Sequence, residues 1–390
     1  MRHQLPVYSP VTWRGVARAK LAALRVLPDP RPPLARHLAA AFSAQRVVLY
    51  GSGSQALRDA IAVALRRSHT RVVALPAFSC YDVAAAAVAA DARIALYDLD
   101  PVTLSPDAAS FSAVLSRGVR VAVVAPLYGF PVDWEALAAV AASHGAVLIE
   151  DAAQGQGAEW RGKALGSLGQ LSVLSFGRGK GWTGGSGGAL LLRGEWAEDG
   201  VTPPPASFAA DARVVAQLVA QWWLGRPAVY GIPSAIPWLA LGETVYHDVP
   251  EPRGMSRAAA AAVLAHTAES TRAVAIRRAH AAALTEQLRS APQAALARPV
   301  AGSAPGYLRL PLRRPGGIRG LGDPSLAGRL GIAASYPRTL GELSQVGSRL
   351  EPETAHWPGG EELARTLLTL PTHEWLTPGE MESISSMLSH

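Results

Sequence analysis

Cysteine is almost missing from this chain, with Cys80 the only one in 390 residues. An internal disulfide is therefore excluded, and with no Cys/His cluster at zinc spacing a structural zinc site is excluded too. A reducing, cytoplasmic setting is the expectation. Long apolar runs are also lacking, since none reaches the roughly 18 consecutive residues of a spanning helix. The opening "MRHQLPVYSPVTWRG" sets a proline and polar residues where a signal peptide needs its apolar run, so no leader is expected. Acidic residues are the minority, 30 against 37 Lys and Arg, for a net charge of +7. The arginines are scattered among alanines and form no basic block, so no nucleic-acid partner is expected. What the chain has in quantity is apolar side chains, 49% of residues, enough to fill a sizeable core.

From Arg46 to Leu192 short apolar runs alternate with helical periodicity, the pattern of parallel strands joined by crossover helices. The strand candidates are "RVVLY" (46–50), "RVVALP" (71–76), "RIALYDLD" (93–100), "VRVAVVAPL" (119–127), "AVLIED" (146–151), "LSVLSF" (171–176) and "GALLL" (188–192). Leu57, Ile61 and Leu65 recur every fourth residue and predict a helix with one buried stripe. Asp133 and Gly145 are the start and stop signals of a later helix. The fold expected is α/β: a large, mainly parallel sheet domain over 1–247, then a small C-terminal α+β domain over 248–390. The second begins with a long helix from Met255, broken at most once, and ends with a helix capped by Thr377. Between them, the Trp/Pro-rich 214–246 segment has no clean period. It is expected to serve a subunit or domain interface; a membrane contact is the alternative, against which its prolines count.

Three stretches can carry chemistry. In "LYGSGSQAL" a strand meets a helix across Gly51, Ser52, Gly53 and Ser54, and backbone N–H groups at such a helix start bind phosphate. It also matches G-x-G-x-x-A, but the dinucleotide fingerprint wants an acid about 20 residues on, where the next strand ends in Leu75, Pro76 and Ala77. In "LIEDAAQGQGA" a strand delivers Asp151 at its C-terminal end, the edge where open parallel sheets bind ligands. Helix capping, a ligand cation and a metal are open uses there, the metal least, because beside the adjacent Glu150 no cluster of acids and histidines at ligand spacing completes a shell. In "SFGRGKGWTGGSGG" Lys180 stands among seven glycines. A P-loop would need glycine at Leu174 and a hydroxyl at Gly181, so the nucleotide-loop reading fails and an imine-forming lysine remains. Together the three supply what pyridoxal phosphate needs: a phosphate anchor, a partner for the ring nitrogen and a Schiff-base lysine.

In this order the residues resemble the DegT/DnrJ/StrS-type sugar aminotransferases, pyridoxal-phosphate enzymes of fold type I. "SGSQAL" is similar to the family's phosphate turn, "EDAAQ" matches its motif, and "SFGRGKGWTGGSGG" resembles its lysine stretch. The resemblance implies Gly53, Ser54 and Gln55 at the phosphate, Asp151 on the ring nitrogen, Gln154 near the ring hydroxyl, Ser175 at the phosphate and Lys180 as the covalent lysine. It also implies a homodimer acting on an amino donor, glutamate by family habit, and a keto substrate of ketosugar type. The chain departs from the pattern where Cys80 replaces the stacking aromatic, with Phe78 and Tyr81 as neighbours able to stack instead. Pro252 stands in place of a cross-subunit asparagine, with Arg253 beside it, and Gly341 replaces a histidine. The alternatives are a lyase, dehydratase or condensing enzyme on the same cofactor, or a non-catalytic relative.

Overall fold

In the computed structural model, which describes residues 2–234, 244–289, 291, 293–352 and 356–389, every expected strand of the large sheet forms. These are β1 (Arg46–Tyr50), β2 (Val72–Pro76), β3 (Arg93–Tyr97), β4 (Val121–Val124) and β5 (Val147–Asp151). Two short strands, β6 (Glu159–Trp160) and β7 (Lys163–Ala164), precede β8 (Leu171–Ser175) and β9 (Gly188–Leu192). The order across the sheet is β1-β9-β8-β5-β4-β2-β3. β9 runs antiparallel to both neighbours and the other pairings are parallel, so six strands point one way. β1, β2, β5 and β8 consequently end on one edge, each passing into a loop that can face a ligand.

Helices cover both faces. α1 (Trp13–Ala23) and α2 (Arg31–Ala41) precede the sheet, and α3 (Gly53–Arg66) follows β1, burying Leu57, Ile61 and Leu65 as the period predicts. α4 (Tyr81–Ala89) and α5 (Ala108–Ser116) come next, and α6 (Trp134–Ser143) is capped by the Asp133 carboxylate, which accepts the Ala136 N–H. A buried carboxylate sets the sheet's centre. Glu150 on β5 accepts from Gly166 N–H, Leu168 N–H, Gly169 N–H and Ser172 Oγ at 2.6–3.0 Å, tying the loop before β8 to β5.

The Trp-rich stretch differs in part from the expectation. α7 (Phe208–Leu224) runs through Trp222 and Trp223 because the prolines begin only at Pro227, the first residue of α8 (Pro227–Ser234). Residues 235–243 of that segment lie outside the described residues. No helix among the described residues is long and apolar enough to cross a membrane.

The helix from Met255 is broken once, into α9 (Arg257–Ala265) and α10 (Thr267–Gln287). The break is His266, whose Nε2 accepts the Thr12 N–H at 3.1 Å while Nδ1 donates to the Thr183 carbonyl at 2.9 Å. α9 packs with α1, α2 and α7 in one apolar cluster, so the body around the large sheet draws on residues past 248. Beyond α10, β10 (Ala295–Leu296), β12 (Leu310–Arg313), β13 (Ala333–Ala334) and β14 (Leu367–Leu370) form an antiparallel sheet. β11 (Ser303–Ala304) instead pairs with β6. α11 (Pro324–Arg329), α12 (Ser344–Gly347) and α13 (Pro358–Thr366) lie within this C-terminal part. α14 (Pro378–Ser389) closes it, with Thr377 and Glu380 hydrogen-bonded as a capping pair.

The amino-terminal residues dock far from their own helices. Gln4 N–H donates to the Arg329 carbonyl at 2.8 Å, and His373 Nε2 lies 2.8 Å from the Leu5 carbonyl. This extended strap ends beside the glycine-rich stretch, where Ser9 Oγ accepts the Gly181 N–H at 3.0 Å.

Candidate active site

At the sheet edge where β1, β2, β5 and β8 end lies a cavity with about 460 Å3 not filled by protein atoms. Gly53, Ser54, Cys80, Asp151, Gln154, Ser175 and Lys180 all line it. The sheet thus brings together residues separated by up to 127 positions in the chain, Gly53 to Lys180.

Each arrives for a local reason. Ser52 caps α3 by accepting the Gln55 N–H at 3.2 Å, which fixes Gly53 and Ser54 in the first turn, where helix N–H groups are free. The stretch around Lys180 is stapled back on itself: Gly184 N–H and Thr183 Oγ1 both donate to the Phe176 carbonyl, at 2.9 and 3.1 Å. Gly179 and Gly181 flank the lysine with φ of +77° and +78°, a left-handed backbone that a side chain rarely adopts. A Cβ on Gly179 would also lie 2.8 Å from Val7 Cγ1 of the amino-terminal strap.

Asp151 is buried at the end of β5, its Oδ1 accepting the Ala153 N–H at 3.0 Å. Burial pushes its carboxyl above the ordinary range, while the Lys180 ammonium and the Ala153 hydrogen bond pull it down. Gln154 is held at both ends of its amide: Oε1 accepts the Tyr128 N–H and Nε2 donates to Tyr336 Oη, each at 2.9 Å. The rings of Tyr128 and Tyr336 are stacked, 6.3 Å apart and tilted by 15°.

Gln55 takes another direction. Its Nε2 donates to the Glu251 carbonyl at 3.0 Å, so its side chain ties α3 to the 250–253 segment and is not part of the cavity wall. Arg253 meets the same corner through its backbone, its carbonyl accepting the Gly51 N–H at 2.8 Å, and its side chain is exposed. Phe78 is fully buried with its ring edge-on to Tyr336, behind the cavity, and Tyr81 faces the outer cleft. Cys80 itself stands at the cavity wall. Burial pushes its thiol up to about 12, Asp82 adds to this, and Lys180 opposes it.

Two further wall residues escaped sequence reasoning, Ser79 and Asp82. Ser79 Oγ is buried with no hydrogen-bond partner among the described residues. Its signal was its place, three residues beyond the end of parallel strand β2 in "LPAFS". Asp82 sits in the first turn of α4 and acts electrostatically on both Cys80 and Asp151. No group of acids, histidines and cysteines suited to a metal occurs among the described residues.

Outward from this cavity a wider cleft of about 1870 Å3 by the same measure shares Cys80, Asp82, Gln154 and Lys180 with it. Residues 5–9, Arg178, Tyr230, Arg309 and Tyr336 complete much of its wall.

The fold is one that solved aminotransferases share. A solved sugar aminotransferase from Micromonospora echinospora superposes with a TM-score of 0.74 at 21% identity, over 98% of both chains. Residues 32–221 match the model of the DegT/DnrJ/EryC1/StrS aminotransferase family. A pleiotropic regulatory protein of Geobacillus stearothermophilus is 35% identical over 151 residues, 39% of this chain and 40% of that protein. The L-glutamine:2-deoxy-scyllo-inosose aminotransferase of Streptoalloteichus tenebrarius is 40% identical over 119 residues, 30% of this chain and 28% of that protein. The chain thus spans two fifths or less of the length of these relatives.

Proposed function

We propose that this protein is a pyridoxal-phosphate-dependent aminotransferase that moves an amino group from an amino acid donor to the keto group of a small sugar-like or cyclitol ketone. The observation that carries the reading is that Lys180, Asp151 and the start of α3 meet in one cavity. Three features of that cavity fit the cofactor. Ser79 Oγ is a buried hydroxyl in want of a partner. Gly53 lets the helix start pack directly against Ser175, since a Cβ there would fall 2.7 Å from Ser175 Cβ, and so brings the two phosphate-side segments together. Asp151 is a buried carboxylate that a protonated ring nitrogen would compensate.

Pyridoxal phosphate, when bound, supplies an electrophilic carbon and an electron-withdrawing ring. The free N–H groups at the start of α3, with Ser54 and Ser175, would hold its phosphate. Asp151 would keep a proton on the ring nitrogen, and Gln154 would orient the ring edge. Lys180 Nζ offers the amine for covalent attachment and, once free, the base that moves a proton at the substrate α-carbon. The known relative that takes its amine from L-glutamine and gives it to a cyclitol ketone supports the donor and acceptor classes. On the same reading the enzyme is a cytoplasmic homodimer.

Borohydride reduction of the cofactor-loaded protein, followed by peptide mass mapping, should place the cofactor's mass on Lys180. Lys180→Ala should lose both that mass and the visible absorbance of the bound cofactor. A wild-type protein that stays colourless with added pyridoxal phosphate would sink the proposal and favour a non-catalytic relative.

A further inference from the structure

The outer cleft carries more positive charge than its own acids neutralise. Arg178, two residues before Lys180, and Arg309, directly before β12, both face it, and Asp82 is the only carboxylate in its described wall. Neither arginine makes an ion pair among the described residues. Arg309 is half-buried and held in place: Nη1 donates to Thr369 Oγ1 at 3.2 Å, and its guanidinium carbon lies 6.0 Å from the Tyr128 ring centroid. Tyr230 feels both guanidinium groups, so they converge on one part of the cleft. Nearby His373 is a buried imidazole that supplies no negative charge.

A half-buried guanidinium without a counter-ion is costly unless a ligand brings the anion. Arg178 also has the reach for a small substrate, because two residues of chain span at most about 7 Å. We propose that Arg309, seconded by Arg178, is the anion anchor of the substrate site. The molecule whose reacting carbon meets Lys180 then carries a carboxylate or phosphate-type anion at its other end, and Arg309 grips it through its planar fork. This rests on the reading of Lys180 as the reacting amine. The anion belongs either to an acidic amino donor or to a phosphorylated acceptor.

The test is calorimetric titration of the cofactor-loaded protein with glutarate, with inorganic pyrophosphate and with the neutral glutaramide, in wild type, Arg309→Leu, Arg309→Lys and Arg178→Gln. Wild type should bind at least one of the two anions and not glutaramide. Glutarate binding assigns the anchor to the amino donor, pyrophosphate binding to the acceptor. Arg309→Leu should weaken that binding roughly 10- to 100-fold, with Arg309→Lys between the two. Should Arg309→Leu fail to fold without its Thr369 contact, Arg309→Lys carries the comparison. Anion binding unchanged by Arg309→Leu or Arg309→Lys, or absent from wild type, overturns the proposal. The visible absorbance of the bound cofactor, read in the same samples, reports separately on the aminotransferase reading.

Discussion

Gly53, the first residue of α3, faces Ser175, the last residue of β8, so closely that a Cβ on the glycine would lie 2.7 Å from the serine Cβ and 2.9 Å from its Oγ. Two chain segments more than a hundred residues apart thereby make one cradle. Gly53→Val should push Ser175 and the helix start apart and lower cofactor affinity about tenfold, with far-ultraviolet dichroism unchanged. Spectroscopic titration with pyridoxal phosphate measures it, and an unaltered affinity would remove Gly53 from the phosphate site.

Asp151→Asn keeps shape and the acceptor for Ala153 N–H but removes the charge at the strand end. The variant should still retain cofactor, since Lys180 and the α3 cradle are untouched, while single-turnover rates fall roughly 100-fold or more. Rates equal to wild type would mean that Asp151 serves only to close its own turn.

Acid should weaken the fold through two buried imidazoles. Burial lowers His373 to about 4 and also lowers His266, whose Nε2 must stay unprotonated to accept the Thr12 N–H. A lowered folded-state value means that the unfolded chain takes up the proton first. The stability from these histidines is therefore complete above about pH 6.5 and is lost as pH falls, for His373 down to about 4. For His373 the full loss is on the order of 3 kcal/mol. His373→Gln, which can still donate to the Leu5 carbonyl, should flatten the pH dependence of urea unfolding between pH 7 and 5; an unchanged slope would refute the assignment.

Glu150 gathers three backbone N–H groups and the Ser172 hydroxyl inside the protein. Glu150→Gln would turn an amide NH2 toward those donors and cost roughly 3 kcal/mol of unfolding free energy. Because these bonds align β8 with β5, cofactor affinity should fall along with stability. Denaturant unfolding and cofactor titration on the same variant test both effects.

The large sheet was legible because its strands are buried on both faces, so they read as continuous Val, Leu and Ala runs bounded by helical periods. The two-residue strands left no such trace; they form only because a partner segment lies alongside, as Ser303 does against Trp160. The break at His266 shows as a helix stop only through its bonds to Thr12 and Thr183, neither close in sequence.

The site divides in the same way. Local sequence determined that a helix starts at Gly53, that a strand ends at Asp151 and that Lys180 stands between glycines, because capping, periodicity and φ preferences act over a few residues. That these three share a cavity was decided by strand order, which places β1, β5 and β8 near one another. Tertiary packing alone turned Gln55 toward Glu251, brought Ser79 and Asp82 to the wall, and laid residues 5–9 over the cleft. The directions of those side chains depend on partners up to about two hundred residues away, and no local propensity encodes such a partner.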